Sequence, residues 1–235
     1  MKLLTQTLPD PPPADPMPLA AAWLAEAWQL RPQPNPDAMV LATCDAAGRP
    51  SARVVLCKAI LASPGYALFY TNYGSRKGRE LEANARAAGV LHWDALHRQL
   101  RLEGQVVRAT ASESDAYFAS RAWQSRVGAW ASEQSAPIAS RASLVDAVRS
   151  AATRLGTPDP TAAGEQVSPP QTTDRSPAIP RPQYWGGYRL WLDAVELWVE
   201  GEFRIHDRVR WTRKLSPAGP HEFNAGPWTA TRLQP

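Results

Sequence analysis

The chain has 235 residues, 44% of them hydrophobic and ten of them tryptophan, enough to build a sizeable core in one large domain or two small ones. A formal net charge of +4 is mildly basic, but the arginines are dispersed among acids with no run of like charge, which favours small anionic ligands over nucleic acid. Cys44 and Cys57 form neither a CxxC pair nor a disulfide framework, and no run of about 18 apolar residues occurs, so the expected setting is soluble, reducing and cytoplasmic.

Residues 1–16 are rich in proline and are expected to be loosely held, with a single domain over 17–235. "PLAAAWLAEAWQL" spaces its apolar residues as a helix does. "AMVLATCDAAGRPSARVVLCKAI" reads as two strands around a turn, and "YALFYTN" as a third after "SPG". "GSRKGRELEANARA" turns helical, "GVLHW" and "RQLRLEGQVVRAT" return to strand, and Ser112 with Asp115 predicts a capped helix start. Residues 156–182 hold Pro, Ser, Thr and Gly with almost no large apolar side chains, the composition of a disordered insertion. From Tyr184 aromatic strands resume. The irregular alternation predicts an α+β fold.

"FRIHDRVRW", residues 203–211, alternates cations with other side chains. As a strand it puts Arg204, His206, Arg208 and Arg210 on one side and Phe203, Ile205, Val209 and Trp211 largely on the other. The cationic side is then either an ordinary solvated face or a binding face.

The sequence contains no GxGxxG after a strand, no GxxxxGK[ST], no GxSxG and no HExxH, which removes support for Rossmann, P-loop, serine-hydrolase and zincin chemistry. His92 and His97 have weak ligand spacing and read as structural, so no metal site is expected. What remains is a scatter of phosphate-type groups: Arg53 and Lys58; Tyr70, Thr71, Ser75, Arg76 and Lys77; Arg121 and Ser125. The second group sits where a strand passes through Gly74 into a helix, and free amides at a helix start favour anions.

"DPMPLAAAWLAEA", "RVVLCK", "FYTNYGSRKGREL", "RQLRLEG", "AYFASRAWQSRVGAWASEQS", "YWGGYRL" and "RIHDR" follow one another in the order found in pyridoxine/pyridoxamine 5′-phosphate oxidases, and the chain resembles that family over most of residues 15–235. The resemblance implies an FMN-binding split β-barrel of Greek-key antiparallel strands with surrounding helices, working as a homodimer. It implies that FMN is bound by Arg53, Val54, Val55, Leu56, Cys57, Lys58, Tyr70, Thr71, Arg76, Lys77, Gln99, Gln134, Ser135, Trp198 and Arg208. It implies a substrate phosphate on Lys58, Tyr117, Arg121 and Ser125, with Arg204 and His206 beside the pyridine ring as the catalytic pair. The implied reaction oxidises pyridoxamine or pyridoxine 5′-phosphate to pyridoxal 5′-phosphate with O2 as acceptor, giving H2O2. A related flavin oxidase of phenazine-type biosynthesis and a non-catalytic FMN or pyridoxal phosphate binding protein are the alternatives.

The sequence departs from the family pattern in three places. Residues 1–14 contain neither arginine nor tyrosine, which members often use to cover the substrate. Ala122, Trp123 and Arg126 stand where proline, a polar or charged residue, and glutamine are expected. Arg53 and Lys58 lie an odd number of positions apart, so a regular strand points them to opposite faces unless a bulge intervenes.

Overall fold

The computed structural model describes residues 6–162 and 178–235. Helix α1 (Met17–Leu30) starts with a proline in its first turn and buries Met17, Ala20, Trp23, Leu24 and Ala27, a three-and-four spacing that makes one apolar stripe. Arg31, in the left-handed region at φ 46°, ends it. Strands β1 (Ala38–Cys44), β2 (Pro50–Leu61) and β3 (Tyr66–Asn72) lead to helix α2 (Arg76–Ala83), then β4 (Arg86–Trp93) and β5 (Arg98–Arg108). Helices α3 (Ala111–Ser120), α4 (Trp123–Ala131) and α5 (Arg141–Arg154) follow, then β6 (Trp185–Val199), β7 (Asp207–Thr212), β8 (Leu215–Gly219), β9 (Glu222–Ala225) and β10 (Thr229–Leu233).

The strand order is β10-β7-β6-β3-β2-β1-β4-β5, and β5 pairs back onto β6. Six strands therefore close into an antiparallel barrel, β7 and β10 extend it, and β8 and β9 form a separate hairpin. This is the α+β class that the alternation of elements predicted and the split barrel that the resemblance implied. Inward side chains recur at every second position, as in β5, where Leu100, Leu102 and Val106 are buried beside Met39, Leu41, Phe69, Leu91 and Trp93 of other strands. Gly104 marks the register shift between β5 and β6: a Cβ there would lie 1.8 Å from the Trp191 carbonyl oxygen, so only glycine permits this approach.

The chain divides into two compact units: one comprises the described residues up to Phe69, Glu80–Arg108 and Tyr188–Pro235, the other Tyr70–Arg79 and the described residues of Ala109–Gly187. The first contains the described part of the Pro-rich start, residues 6–16, and contacts fix it at Leu8 and Pro13. Leu8 is buried, its amide donates to Asp207 at 2.7 Å, and Trp211 Nε1 donates to the Pro13 carbonyl at 2.7 Å. In the second, Phe118, Val127, Ala151, Ala152, Ile179 and Trp185 form the core. The cap of α3 is Thr110 with Glu113, not Ser112 with Asp115, because the overlapping Thr-x-x-Glu lets both side chains reach the free amides.

Residues 163–177 of the expected insertion lie outside the described residues. Within the expected span, Ile179 is in the core, and Arg181 donates to Asp115 and to the Trp185 carbonyl, each at 2.6 Å. Among the described residues no helix is long and apolar enough to cross a membrane.

Candidate active site

In the second unit, the turn from β3 into α2 builds a pocket of oxygens around Lys77. The Lys77 ammonium is buried and donates to Gln134 Oε1 at 2.8 Å, Thr71 Oγ1 at 3.0 Å and Ser75 Oγ at 3.1 Å. Thr71 also donates to Gln134 at 3.0 Å. Gly78 permits the turn, since a Cβ there would sit 1.9 Å from the Tyr73 carbonyl oxygen. Arg76 is exposed at the start of α2, and Ser135 adopts a left-handed φ of 73° beside Gln134. The structure thus brings Thr71, Lys77 and Gln134 into direct contact, from segments about 60 residues apart in sequence. A cavity of about 700 Å³ in the same unit is lined by Gln134, Asn72, Trp130 and Tyr184.

Tyr70, Tyr117 and Trp185 make an aromatic stack: Tyr70 and Tyr117 lie 3.9 Å apart and 19° from parallel, and Tyr70 and Trp185 lie 5.6 Å apart at 11°. The Arg121 guanidinium lies 4.7 Å from the Trp185 ring centroid and 5.5 Å from that of Phe118. Its Nη1 is buried with no hydrogen-bond partner. Burial, and secondarily the charge of Arg126, pulls the Arg121 pKa below the ordinary guanidinium value. Ser125 is exposed in the first turn of α4.

In the first unit, β2 carries Arg53 to Lys58. The register with β3 shifts between Cys57 and Ala59, a bulge at Lys58. Val55 and Cys57 face inward before it and Ile60 after it, so Lys58 comes onto the same face as Arg53. Arg53 donates to Glu80 at 3.1 Å and to Leu41 O at 3.2 Å, and Lys58 pairs with the buried Asp37 at 2.6 Å. Burial pushes the Cys57 thiol up to about 12, which keeps it protonated and unreactive at neutral pH. Val54 and Leu56 point outward and are 63% and 38% exposed, next to Val40 at 44%, the direct cross-strand partner of Val54.

Gln99, Trp198 and Arg208 lie on three adjacent strands, with Gln99 opposite Trp198 and Trp198 opposite Arg208. Arg208 donates to the buried Glu196 at 2.8 and 3.1 Å and to the Gln234 carbonyl at 3.0 Å. The His206 ring lies 4.7 Å from that of Trp198, and His206 Nδ1 accepts from the Gly201 amide at 3.2 Å, which puts the proton of the neutral ring on Nε2. The strand expected from 203 begins only at Asp207. Phe203 and Arg204 adopt left-handed φ of 56° and 65°, and Phe203 and Ile205 are 79% and 72% exposed rather than packed. The cause is a tight turn at Gly201, where a Cβ would lie 1.7 Å from the Ile205 carbonyl oxygen. Arg204 is exposed and has no ion pair among the described residues.

Sequence reasoning missed the acids that hold these cations, Asp37, Glu80 and Glu196, because each pair forms only when separate segments fold together, 21, 27 and 12 residues apart. Arg126, noted only as a departure from the pattern, is 7% exposed, and its Nε is also buried without a partner.

Residues 26–154 match the family described as pyridoxamine 5′-phosphate oxidase, and a protein of Cereibacter sphaeroides named pyridoxine/pyridoxamine 5′-phosphate oxidase is 45% identical over 94% of this chain and 95% of its own. The chain belongs to the pyridoxamine 5′-phosphate oxidase family. Its residues 185–235 match the region described as the pyridoxine 5′-phosphate oxidase C-terminal dimerisation region. Another pyridoxine/pyridoxamine 5′-phosphate oxidase, from Rhodospirillum rubrum, is 43% identical over 94% of this chain and 96% of its own. Among solved structures, PhzG from Burkholderia lata in complex with tetrahydrophenazine-1-carboxylic acid is 31% identical, covers 96% of this chain and 95% of its own, and superposes with a TM-score of 0.77. A pyridoxamine 5′-phosphate oxidase-related, FMN binding protein from Nostoc punctiforme is 16% identical, covers 93% of this chain and 98% of its own at a TM-score of 0.62, and shares the fold.

Proposed function

We propose that this protein is an FMN-dependent homodimeric oxidase that converts pyridoxamine or pyridoxine 5′-phosphate to pyridoxal 5′-phosphate, reducing O2 to H2O2. The observation that carries this reading is Arg121: a guanidinium over the Trp185 ring, with a buried donor that no group among the described residues accepts, in a chain 45% identical to named pyridoxine/pyridoxamine 5′-phosphate oxidases. A phosphate supplies the missing acceptor.

The donor set suits FMN. Lys77, Thr71 and Gln134 are preassembled, with Arg76 at the same turn, and we assign them with Tyr70 and Ser135 to the cofactor. We assign Arg53, Lys58, the β2 backbone from Val54 to Cys57, Gln99, Trp198 and Arg208 to it as well. When bound, FMN accepts two electrons from the substrate's C4′ carbon and passes them to O2. The protein's own contribution is orientation, since hydride transfer needs two flat rings held in a fixed relation. Tyr117, Arg121 and Ser125 hold the substrate phosphate, with Lys58 as a further cation. Arg204 and His206 stand beside the pyridine ring, where the Nε2–H of His206 is a donor for a ring substituent. With the amine substrate the imine product takes up water and releases ammonia; with the alcohol no water is needed. The exposed Val40, Val54 and Leu56 and the match to the dimerisation region support association with a second copy.

The similarity to PhzG favours a second reading, oxidation of a phenazine-type ring acid. The test is to offer FMN-loaded protein pyridoxamine 5′-phosphate, pyridoxine 5′-phosphate and tetrahydrophenazine-1-carboxylic acid, each against a protein-free control in air. Formation of pyridoxal 5′-phosphate supports the first reading, and turnover of the ring acid alone replaces it with the second.

A further inference from the structure

We propose that Arg126 is a second guanidinium for the phosphate assigned to Arg121 and Ser125, making the start of α4 a site for a dianionic phosphate monoester. The inference rests on the substrate reading above and adds a residue to it.

Three observations carry it. Arg126 is 7% exposed, its Nε is buried without a partner, and it forms no hydrogen bond or ion pair from its side chain among the described residues. An arginine kept for structure alone would spend its donors on carbonyl or carboxylate oxygens, because an unpaired buried guanidinium costs stability. Second, Arg121 also has a buried unpartnered donor, Nη1, and the charge of Arg126 acts on it unfavourably. Two unpaired cations that repel each other are relieved together by one doubly charged anion.

Third, the residue that precedes α4 at its N-cap is Ala122, which offers no side-chain cap, and no acidic residue lies in the first turn. The first-turn amides are left as donors, and the helix field adds positive potential there. Helical side chains tilt toward the N-terminus, so Arg126 leans back over the turn that carries Ser125 and follows Arg121. The surplus at this end of α4 is therefore one of donors.

The test is calorimetric titration of FMN-loaded wild type, Arg126→Gln and Arg126→Lys with inorganic phosphate and with pyridoxal 5′-phosphate. Arg126→Gln should weaken both at least about tenfold, about 1.4 kcal/mol, with Arg126→Lys in between. The fall in kcat/KM for pyridoxamine 5′-phosphate should appear mainly in KM. Wild-type phosphate affinity in Arg126→Gln overturns the proposal. If that variant does not fold, Arg126→Lys decides: weakening of at least about threefold with normal FMN content supports it, and wild-type affinity overturns it. A protein that binds phosphate through Arg126 yet does not oxidise the vitamin phosphate contradicts the function, not this site. Normal turnover with unchanged phosphate binding in Arg126→Gln contradicts only this site.

Discussion

Arg121 and Trp185 form a cation–π pair at 4.7 Å in which the guanidinium is positioned but not neutralised, since Nη1 has no acceptor. A cation set in place this way is preorganised for an anion: its orientation is fixed before the ligand arrives, which lowers the ordering cost of binding. Arg121→Met keeps the apolar stem on Trp185 and removes the donors. It should lower kcat/KM for pyridoxamine 5′-phosphate at least about thirtyfold, about 2 kcal/mol, the range for a hydrogen bond to a charged group. FMN content, read from visible absorbance, should not change.

Lys77→Met should act on the cofactor instead. Methionine fills similar space but cannot bond Gln134, Thr71 and Ser75, so the turn into α2 loses its three-way anchor as well as a charge. FMN affinity in a fluorescence titration should fall at least about tenfold, about 1.4 kcal/mol, while far-ultraviolet circular dichroism stays that of the folded barrel.

Much of the fold was legible because strands with one buried face alternate, and β5 does so over nearly its whole length. The candidate site was marked out in the sequence mainly by an ordered set of motifs. The stretch 203–206 was misread for a local reason: its alternation is that of a strand, yet the close approach of Gly201 to Ile205 turns the backbone there and exposes Phe203 and Ile205. The partners of Arg53, Lys58 and Arg208 were not legible, because Glu80, Asp37 and Glu196 meet them only through tertiary folding. Helix α5 went unread although Ser140 caps it, since its exposed face carries no strong apolar period.

Arg204 and Arg208 should separate in function even though only Arg208 lies on a regular strand. Arg204→Met removes an exposed planar cation with no ion pair among the described residues, so folding and FMN binding should be retained while kcat/KM falls at least about a hundredfold, about 2.7 kcal/mol. Arg208→Met should weaken FMN first. It should also lower the melting temperature, because among the described residues the buried Glu196 keeps only Arg101, at 3.0 Å, as a charged partner. Unchanged turnover in Arg204→Met would remove Arg204 from the substrate side.

Cys57 predicts an alkaline signature. Its folded pKa of about 12 lies above the ordinary thiol value of 9.0, so between these values the folded state retains a proton that the unfolded chain has released. The stabilisation is complete below pH 9 and is lost as pH rises from 9 toward 12, at up to about 1.4 kcal/mol per unit. Cys57→Ala should lose stability less steeply than wild type in urea titrations across that window. Parallel slopes would mean that the thiol is not buried as described.

The most direct measurement loads the purified protein with FMN, adds pyridoxamine 5′-phosphate, and follows oxygen uptake and pyridoxal 5′-phosphate formation in the same cell. The account predicts one O2 consumed, and one H2O2 formed, for each pyridoxal 5′-phosphate released. FMN bound at saturation with neither oxygen uptake nor aldehyde formation would contradict it.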